Sequence, residues 1–139
     1  MANYECVLRS NYFHVKDQEG FRSFMNTVSG DDMHLWEEKD EKDGSTLFGF
    51  GCYGSINGAP DGENGDTTYE AFLKGLQEYI VDKEAVIICE AGNEKLRYVI
   101  GFATVITRDK IETISINELA ISKAREMLKN IDYKTKMEY

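Results

Sequence analysis

Seven acids crowd into thirteen residues: Asp31, Asp32, Glu37, Glu38, Asp40, Glu41 and Asp43. Four more follow at Asp61, Glu63, Asp66 and Glu70. Carboxylates at this density can ligate a hard cation, share protons in acid–base catalysis, or present negative charge to a basic partner. The stretch Asp61-Gly62-Glu63-Asn64-Gly65-Asp66 supplies oxygen ligands, but not in calcium-loop register. Such a loop wants glycine sixth and a glutamate twelfth, whereas here Gly65 is fifth and Asp66 sixth. Acid–base pairing has no distinguishing spacing among 25 acids. Two readings are left: a solvated turn and loop whose acids keep the protein soluble, and presentation of charge in mimicry of nucleic acid. A strand advances about 3.4 Å per residue, so carboxylates on one face recur every ~6.8 Å, two nucleotide steps of one DNA strand. Lys39 and Lys42 interrupt the row.

Other reactive types are sparse. Gly49-Phe50-Gly51-Cys52-Tyr53-Gly54 has the spacing G-x-G-x-x-G, yet Ser55-Ile56-Asn57-Gly58-Ala59-Pro60 follows and cannot open a phosphate-binding helix. A strand with close backbone packing is the better expectation there. Nucleophilic catalysis would have to use Cys52 with His14 or His34, and no local motif joins them. No C-x-x-C, H-x-x-x-H or H-x-x-E-H spacing predicts zinc. Neither a metal nor another cofactor is expected, and nothing identifies a reaction. Trp36 stands out because Glu37 and Glu38 follow it at once, an amphipathic aromatic beside an acidic cluster. Tyr12, Tyr53, Tyr69 and Tyr98 are weaker anchor candidates, since aromatics of small domains more often sit in cores.

The elements that must position these groups follow from periodicity. Tyr4–Val15 is extended, with a break at Ser10-Asn11. Asp17 can cap a helix with Phe21, Phe24, Met25 and Val28 on one face, stopped by Gly30. Met33–Glu38 and Thr46–Tyr53 are strands joined by the charged turn Asp40–Gly44, and Gly54–Asp66 is a loop. A capping box at Thr67 and Glu70 starts a helix striped by Tyr69, Phe72, Leu73, Leu76, Tyr79 and Ile80. Ala85–Glu90, Leu96–Thr107 and Ile111–Ile116 are strands with hairpin-length connections. Ser115 with Glu118 opens a last helix, with Ala120, Ala124, Met127, Leu128 and Ile131 on one face. The order β-α-β-β-α-β-β-β-α predicts a single α+β domain over residues 1–139. Its sheet is mainly antiparallel, with about three helices packed on it.

A chain of 139 residues is one domain that needs no disulfide or metal to fold. Its net charge of −9 disfavours direct binding to a phosphate backbone. That charge is not spread evenly. Residues 1–30 and 71–139 are each neutral, and residues 31–70 carry eleven acids against two lysines. No apolar run approaches the ~20 residues of a membrane span. Cys6, Cys52 and Cys89 are odd in number, with Cys6 and Cys89 in apolar runs where free thiols are buried. No leader pattern is visible, so the expectation is a reduced, cytoplasmic protein.

Ser10-Asn11-Tyr12-Phe13-His14-Val15-Lys16-Asp17 with Phe21, and Glu94-Lys95-Leu96-Arg97-Tyr98-Val99-Ile100-Gly101-Phe102-Ala103, carry a resemblance. The chain resembles small acidic, mostly uncharacterised proteins of plasmids, conjugative elements and phages that are associated with antirestriction and anti-CRISPR genes. The matching stretches contain no catalytic motif, so the resemblance transfers no site residues. It implies an anti-defence role, and with the charge of residues 31–70 the expectation is a cytoplasmic inhibitor that mimics DNA in its host cell. The expected partner is a protein with a basic nucleic-acid-binding surface, such as a CRISPR effector or restriction enzyme. The expected contact set is Asp31, Asp32, Trp36, Glu37, Glu38, Asp40, Glu41, Asp43, Asp61, Glu63 and Asp66. The alternatives are a small-molecule or regulatory binding domain with Gly44–Asp66 as a lid, and an enzyme built on Cys52 and a histidine.

Overall fold

The computed structural model describes residues 4–62 and 65–137. Six strands form one antiparallel sheet: β1 (Glu5–Ser10), β3 (Met33–Lys39), β4 (Thr46–Cys52), β7 (Val86–Glu94), β8 (Tyr98–Ile106) and β9 (Ile111–Ser115), in the order β3-β4-β1-β7-β8-β9. Three short strands, β2 (Ser29–Gly30), β5 (Ile56–Pro60) and β6 (Thr67–Thr68), form a second sheet. The helices are α1 (Gln18–Thr27), α2 (Tyr69–Gln77) and α3 (Ile116–Leu128). The α+β class and the order of the main elements are those the periodicity predicts.

Alternation along each strand decides which face is covered. Leu8, Phe48, Phe50, Cys52, Val86, Ile88 and Ile106 point to one side, where they meet Phe21 and Met25 of α1 and Phe72 and Leu76 of α2. Phe13, Phe21, Phe48, Phe50 and Phe72 interlock edge to face, with centroids 5.0–6.2 Å apart. That geometry adds to the burial of the rings themselves. The break at Ser10-Asn11 is stitched by side chains. Ser10 Oγ accepts the Phe50 N–H at 2.9 Å. Asn11 donates to the Ala85 carbonyl and accepts the Ile87 N–H, substituting for the ladder that β1 leaves.

Several local expectations change. The predicted loop Gly54–Asp66 contains β5, whose Ile56 and Ala59 are buried. The cap of α2 is Thr68, which accepts the Ala71 N–H, because Thr67 and Thr68 pair with Pro60 and Ala59 as β6. Glu70 is thereby released from a capping box and pairs with Lys74. β7 continues to Glu94, and the hairpin turns at Lys95 in the left-handed region. Ser115 caps α3 as expected. The last helix departs furthest: none of its residues is buried, Ala120, Ala124, Met127 and Leu128 included, and it stops at Leu128 with a left-handed cap at Lys129, so Ile131 lies beyond it and is exposed. The space over the covered sheet face is already filled by α1 and α2. Ile116 lies instead over Gly101, on the opposite face.

Candidate interaction surface

Among the described residues no helix lies over the outward face of β3, β4 and β1, and the side chains there form, with those of β7, one aromatic groove. On β3 the outward positions are His34, Trp36 and Glu38, opposite Gly51, Gly49 and Leu47 of β4. The glycines make room. A Cβ on Gly51 would stand 3.0 Å from Trp36 Cη2 and 2.8 Å from the Leu8 carbonyl oxygen, and one on Gly49 would stand 3.1 Å from the Tyr12 ring. Both rings therefore lie flat on backbone. Arg9 sits between them, its guanidinium 4.9 Å from the Trp36 ring centre and 5.7 Å from that of Tyr12. Such cation–π stacking holds a cation at an apolar surface without a carboxylate partner. His34 stacks beside Trp36 at 6.2 Å and meets the edge of Tyr53, which is 72% exposed. The resulting groove has a volume of about 750 Å³, and Val7, Cys89 and Ala91 form its apolar floor.

The acidic residues around this groove divide into two kinds. Asp31 accepts the Ser55 N–H and so braces the start of β5. Glu37 faces the covered side, where Arg22 of α1 grips it with bonds of 2.7 and 3.0 Å. That grip holds its carboxyl below the usual range. Asp40 contacts His14 Nε2 at 3.1 Å. Asp43 accepts from the backbone and hydroxyl of Ser45, which lower its pKa. These four acids are structural ties. Glu38 and Glu41 are exposed, with no side-chain partner among the described residues, and Asp32 is exposed beside His34 at 3.2 Å. Asp61 and Asp66 close the β5–β6 connection through their backbones. Glu63 lies outside the described residues. Adjacent Glu37 and Glu38 fall on opposite faces of β3, so a same-face carboxylate ladder is reduced to Glu38 with the turn residue Glu41.

A second cluster was invisible to motif reading. His14 Nδ1 lies 2.8 Å from Glu84, and Nε2 lies 3.1 Å from Asp40 and 2.9 Å from Ser45 Oγ. The Glu84 bond dominates in raising the His14 pKa, against the opposing effect of burial. His14 Nε2, Asp40 and Asp43 also place three ligand atoms within 4.8 Å of one another, the arrangement that could hold a metal ion. The sequence separations are too long for any local motif. The available signal was only that His14 and Glu84 each border an extended segment.

The cysteines invert expectation. Cys52 is the buried one, because it faces the core at the end of β4, while Cys89 is exposed on the open face and Cys6 is half-buried. Burial pushes the Cys52 thiol up to about 11, and its Sγ donates to the Gly54 carbonyl. A protonated thiol spent on a carbonyl is no nucleophile at neutral pH. Gly49 and Gly51 lie within β4 and β5 follows Gly54, so the glycine spacing marks close packing and opens no phosphate-binding helix. The proposed lid does not exist as a unit, since residues 46–52 are an inner strand of the main sheet. No described helix is long and apolar enough to cross a membrane. Comparison with protein-family models, curated proteins and solved structures finds no match.

Proposed function

We propose that the chain is a cytoplasmic inhibitor of the anti-CRISPR or antirestriction kind that docks on the basic nucleic-acid-binding surface of a defence complex. One observation carries this reading. Trp36 and Glu38 share the exposed face of β3, an edge strand of the main sheet, with Glu41 on the turn just beyond. Trp36 is the anchor, held in position by Arg9 and Gly51. Glu38, Glu41 and Asp32 supply the charge that steers a basic partner and sets its register. The outer edge of β3 also offers unpaired backbone groups to a partner strand. Mimicry is thus confined to a short acidic edge beside an aromatic anchor, while Asp31, Glu37, Asp40 and Asp43 hold the edge in shape.

The test is capture of basic nucleic-acid-binding proteins from cells carrying CRISPR and restriction systems, at low and high salt, followed by an inhibition assay on the captured complex. A Glu38→Lys, Glu41→Lys chain should lose salt-sensitive capture, and Trp36→Ala should lose inhibition, with circular dichroism unchanged in both. Inhibition that survives all three substitutions would sink the proposal. The groove of about 750 Å³ favours a second reading, a small planar ligand stacked against Trp36 and Arg9. In that case a metabolite, and no basic protein, would raise the melting temperature, and Trp36→Ala would abolish the rise.

A further inference from the structure

The β3–β4 turn and the connection from β1 to α1 meet around one histidine. His14 stands between Phe13 and Val15, whose backbones bridge to Phe48 and Ile80, so the chain is held on both sides of it. Glu84, just before β7, accepts the His14 backbone N–H at 3.0 Å and holds Nδ1 of the ring at 2.8 Å. Both of its carboxylate oxygens are spent on this one residue, and Nε2 is left facing the turn. There it meets Asp40 Oδ2 at 3.1 Å and Ser45 Oγ at 2.9 Å. Asp40 and Asp43 each use Oδ1 within the turn itself. Asp40 accepts the Lys42 N–H, and Asp43 accepts the backbone N–H and the hydroxyl of Ser45. One ligand atom from each of His14, Asp40 and Asp43 lies within 4.8 Å of the others.

We propose that His14 Nε2, Asp40 and Asp43 bind one divalent transition-metal ion, zinc foremost, with Glu84 as the positioning residue. Three features separate this cluster from a patch of surface acids. The first is uncompensated charge. Asp40, Asp43 and Glu84 bring three carboxylates to a single imidazole, and among the described residues no lysine or arginine pairs with any of them. Even a protonated ring leaves two negative charges over, which one divalent ion cancels. The second is the donor set. One imidazole nitrogen with carboxylate oxygens suits zinc, cobalt or manganese, whereas calcium and magnesium take oxygen ligands. The third is the ring's support. A histidine that ligates through one nitrogen gives its other N–H to a carboxylate, which fixes tautomer and orientation. Glu84 does this from outside the ligand set, 44 residues along the chain from Asp40. Tetrahedral zinc, with bonds of about 2.0–2.2 Å, keeps its ligand atoms roughly 3.4 Å apart. His14 and Asp40 already stand at 3.1 Å, and Asp43, exposed on the turn, closes the remainder by rotating its carboxylate. Binding releases the proton on Nε2, and Ser45 Oγ or water takes the fourth position. Such a clip joins the β3–β4 turn to the β1–α1 connection whether or not the β3 edge docks a partner.

Calorimetric titration of the full, tag-free, chelator-treated chain with Zn²⁺ at neutral pH provides the test, with Ca²⁺ and Mg²⁺ as controls and Co²⁺ as the spectroscopic probe. Zn²⁺ should bind at one ion per chain and raise the melting temperature, and Co²⁺ should develop the visible bands of a low-coordinate site. His14→Gln and Asp43→Asn should each weaken Zn²⁺ at least ~10-fold, the loss expected even for a group that only supports a ligand. Glu84→Gln should weaken it by a similar factor but keep the Co²⁺ bands, because the ligands themselves remain. The absence of saturable Zn²⁺ binding overturns the proposal. So does Ca²⁺ or Mg²⁺ binding as tight as Zn²⁺, or Zn²⁺ binding that survives His14→Gln, since either outcome reduces the site to diffuse attraction by acids. Should His14→Gln lose its circular dichroism spectrum, Asp43→Asn decides, because its amide oxygen still accepts the bonds from Ser45. An unchanged Zn²⁺ affinity in that variant overturns the proposal.

Discussion

At the scale of single residues, His14 and the cysteines make opposite uses of burial. His14 is half-buried, yet its ring is held by Glu84 on one nitrogen and by Asp40 on the other, so the imidazolium is favoured and its pKa rises above the ordinary 6.5. A raised folded-state value means stability that is fully present below pH 6.5 and is lost as pH rises through the folded pKa. Urea unfolding followed from pH 5.5 to 8.5 should therefore show the wild type losing stability over the upper part of that range. His14→Gln should be less stable at the acid end and lose less on the way up; equal slopes for the two chains would refute the clamp. Among the thiols, desolvation holds Cys52 in its protonated form, and Cys89 lies open on the sheet face. Ellman's reagent at pH 8 should modify Cys89 at least ~10-fold faster than Cys52, because the attacking species is an accessible thiolate. Mass mapping of the first labelled peptide decides it, and prompt labelling of Cys52 would contradict its buried placement.

Among the elements, β4 works on both of its faces. Its phenylalanines fill the core, while Gly49 and Gly51 leave the flat ground on which Tyr12 and Trp36 rest. A methyl group at Gly51 meets the Leu8 carbonyl at 2.8 Å, and backbone cannot rotate away as a side chain can. Gly51→Ala should destabilise the fold by about 1–3 kcal/mol and shift Trp36 emission to the red as the ring lifts into water. Denaturant titration and fluorescence on one sample check both, and unchanged emission would show that the ring does not depend on this seat. The elements legible in advance were those with a strong period: α1 from Phe21, Phe24 and Met25, α2 from Phe72 and Leu76, and the strands from their alternation. The Thr68 cap was missed by one residue because Thr67 and Thr68 pair in a sheet that only tertiary structure creates. β5 was missed because glycine and proline, ordinarily turn formers, occur there in a strand. For the candidate site, Trp36 and Glu38 could be singled out from composition. Arg9 could not, since its stacking depends on β1 and β3 flanking the same strand, a fact of sheet order.

Over the whole molecule, the two faces of the main sheet explain why the pattern of α3 was informative but its placement was not. Amphipathic spacing says that a helix has an apolar side; it does not say what covers it. α1 and α2 already occupy the face that holds the phenylalanine core, so α3 turns to the opposite side and touches little of its own chain. The charge map follows the same geography. Within the acidic segment, Asp31, Glu37, Asp40 and Asp43 are tied to Ser55, Arg22, His14 and Ser45 while Glu38 and Glu41 have no side-chain partner among the described residues, and the neutral segment ends in a helix with exposed apolar side chains. This separation makes cooperativity uneven. The amides of α3, which has no buried residue, should exchange with deuterium at least ~100-fold faster than those of β1, β4, β7 and α2, which open only with the core. Mass-resolved exchange of the full chain measures the difference. Equal protection of α3 and α2 would mean that α3 packs on its own chain more tightly than its exposed side chains imply.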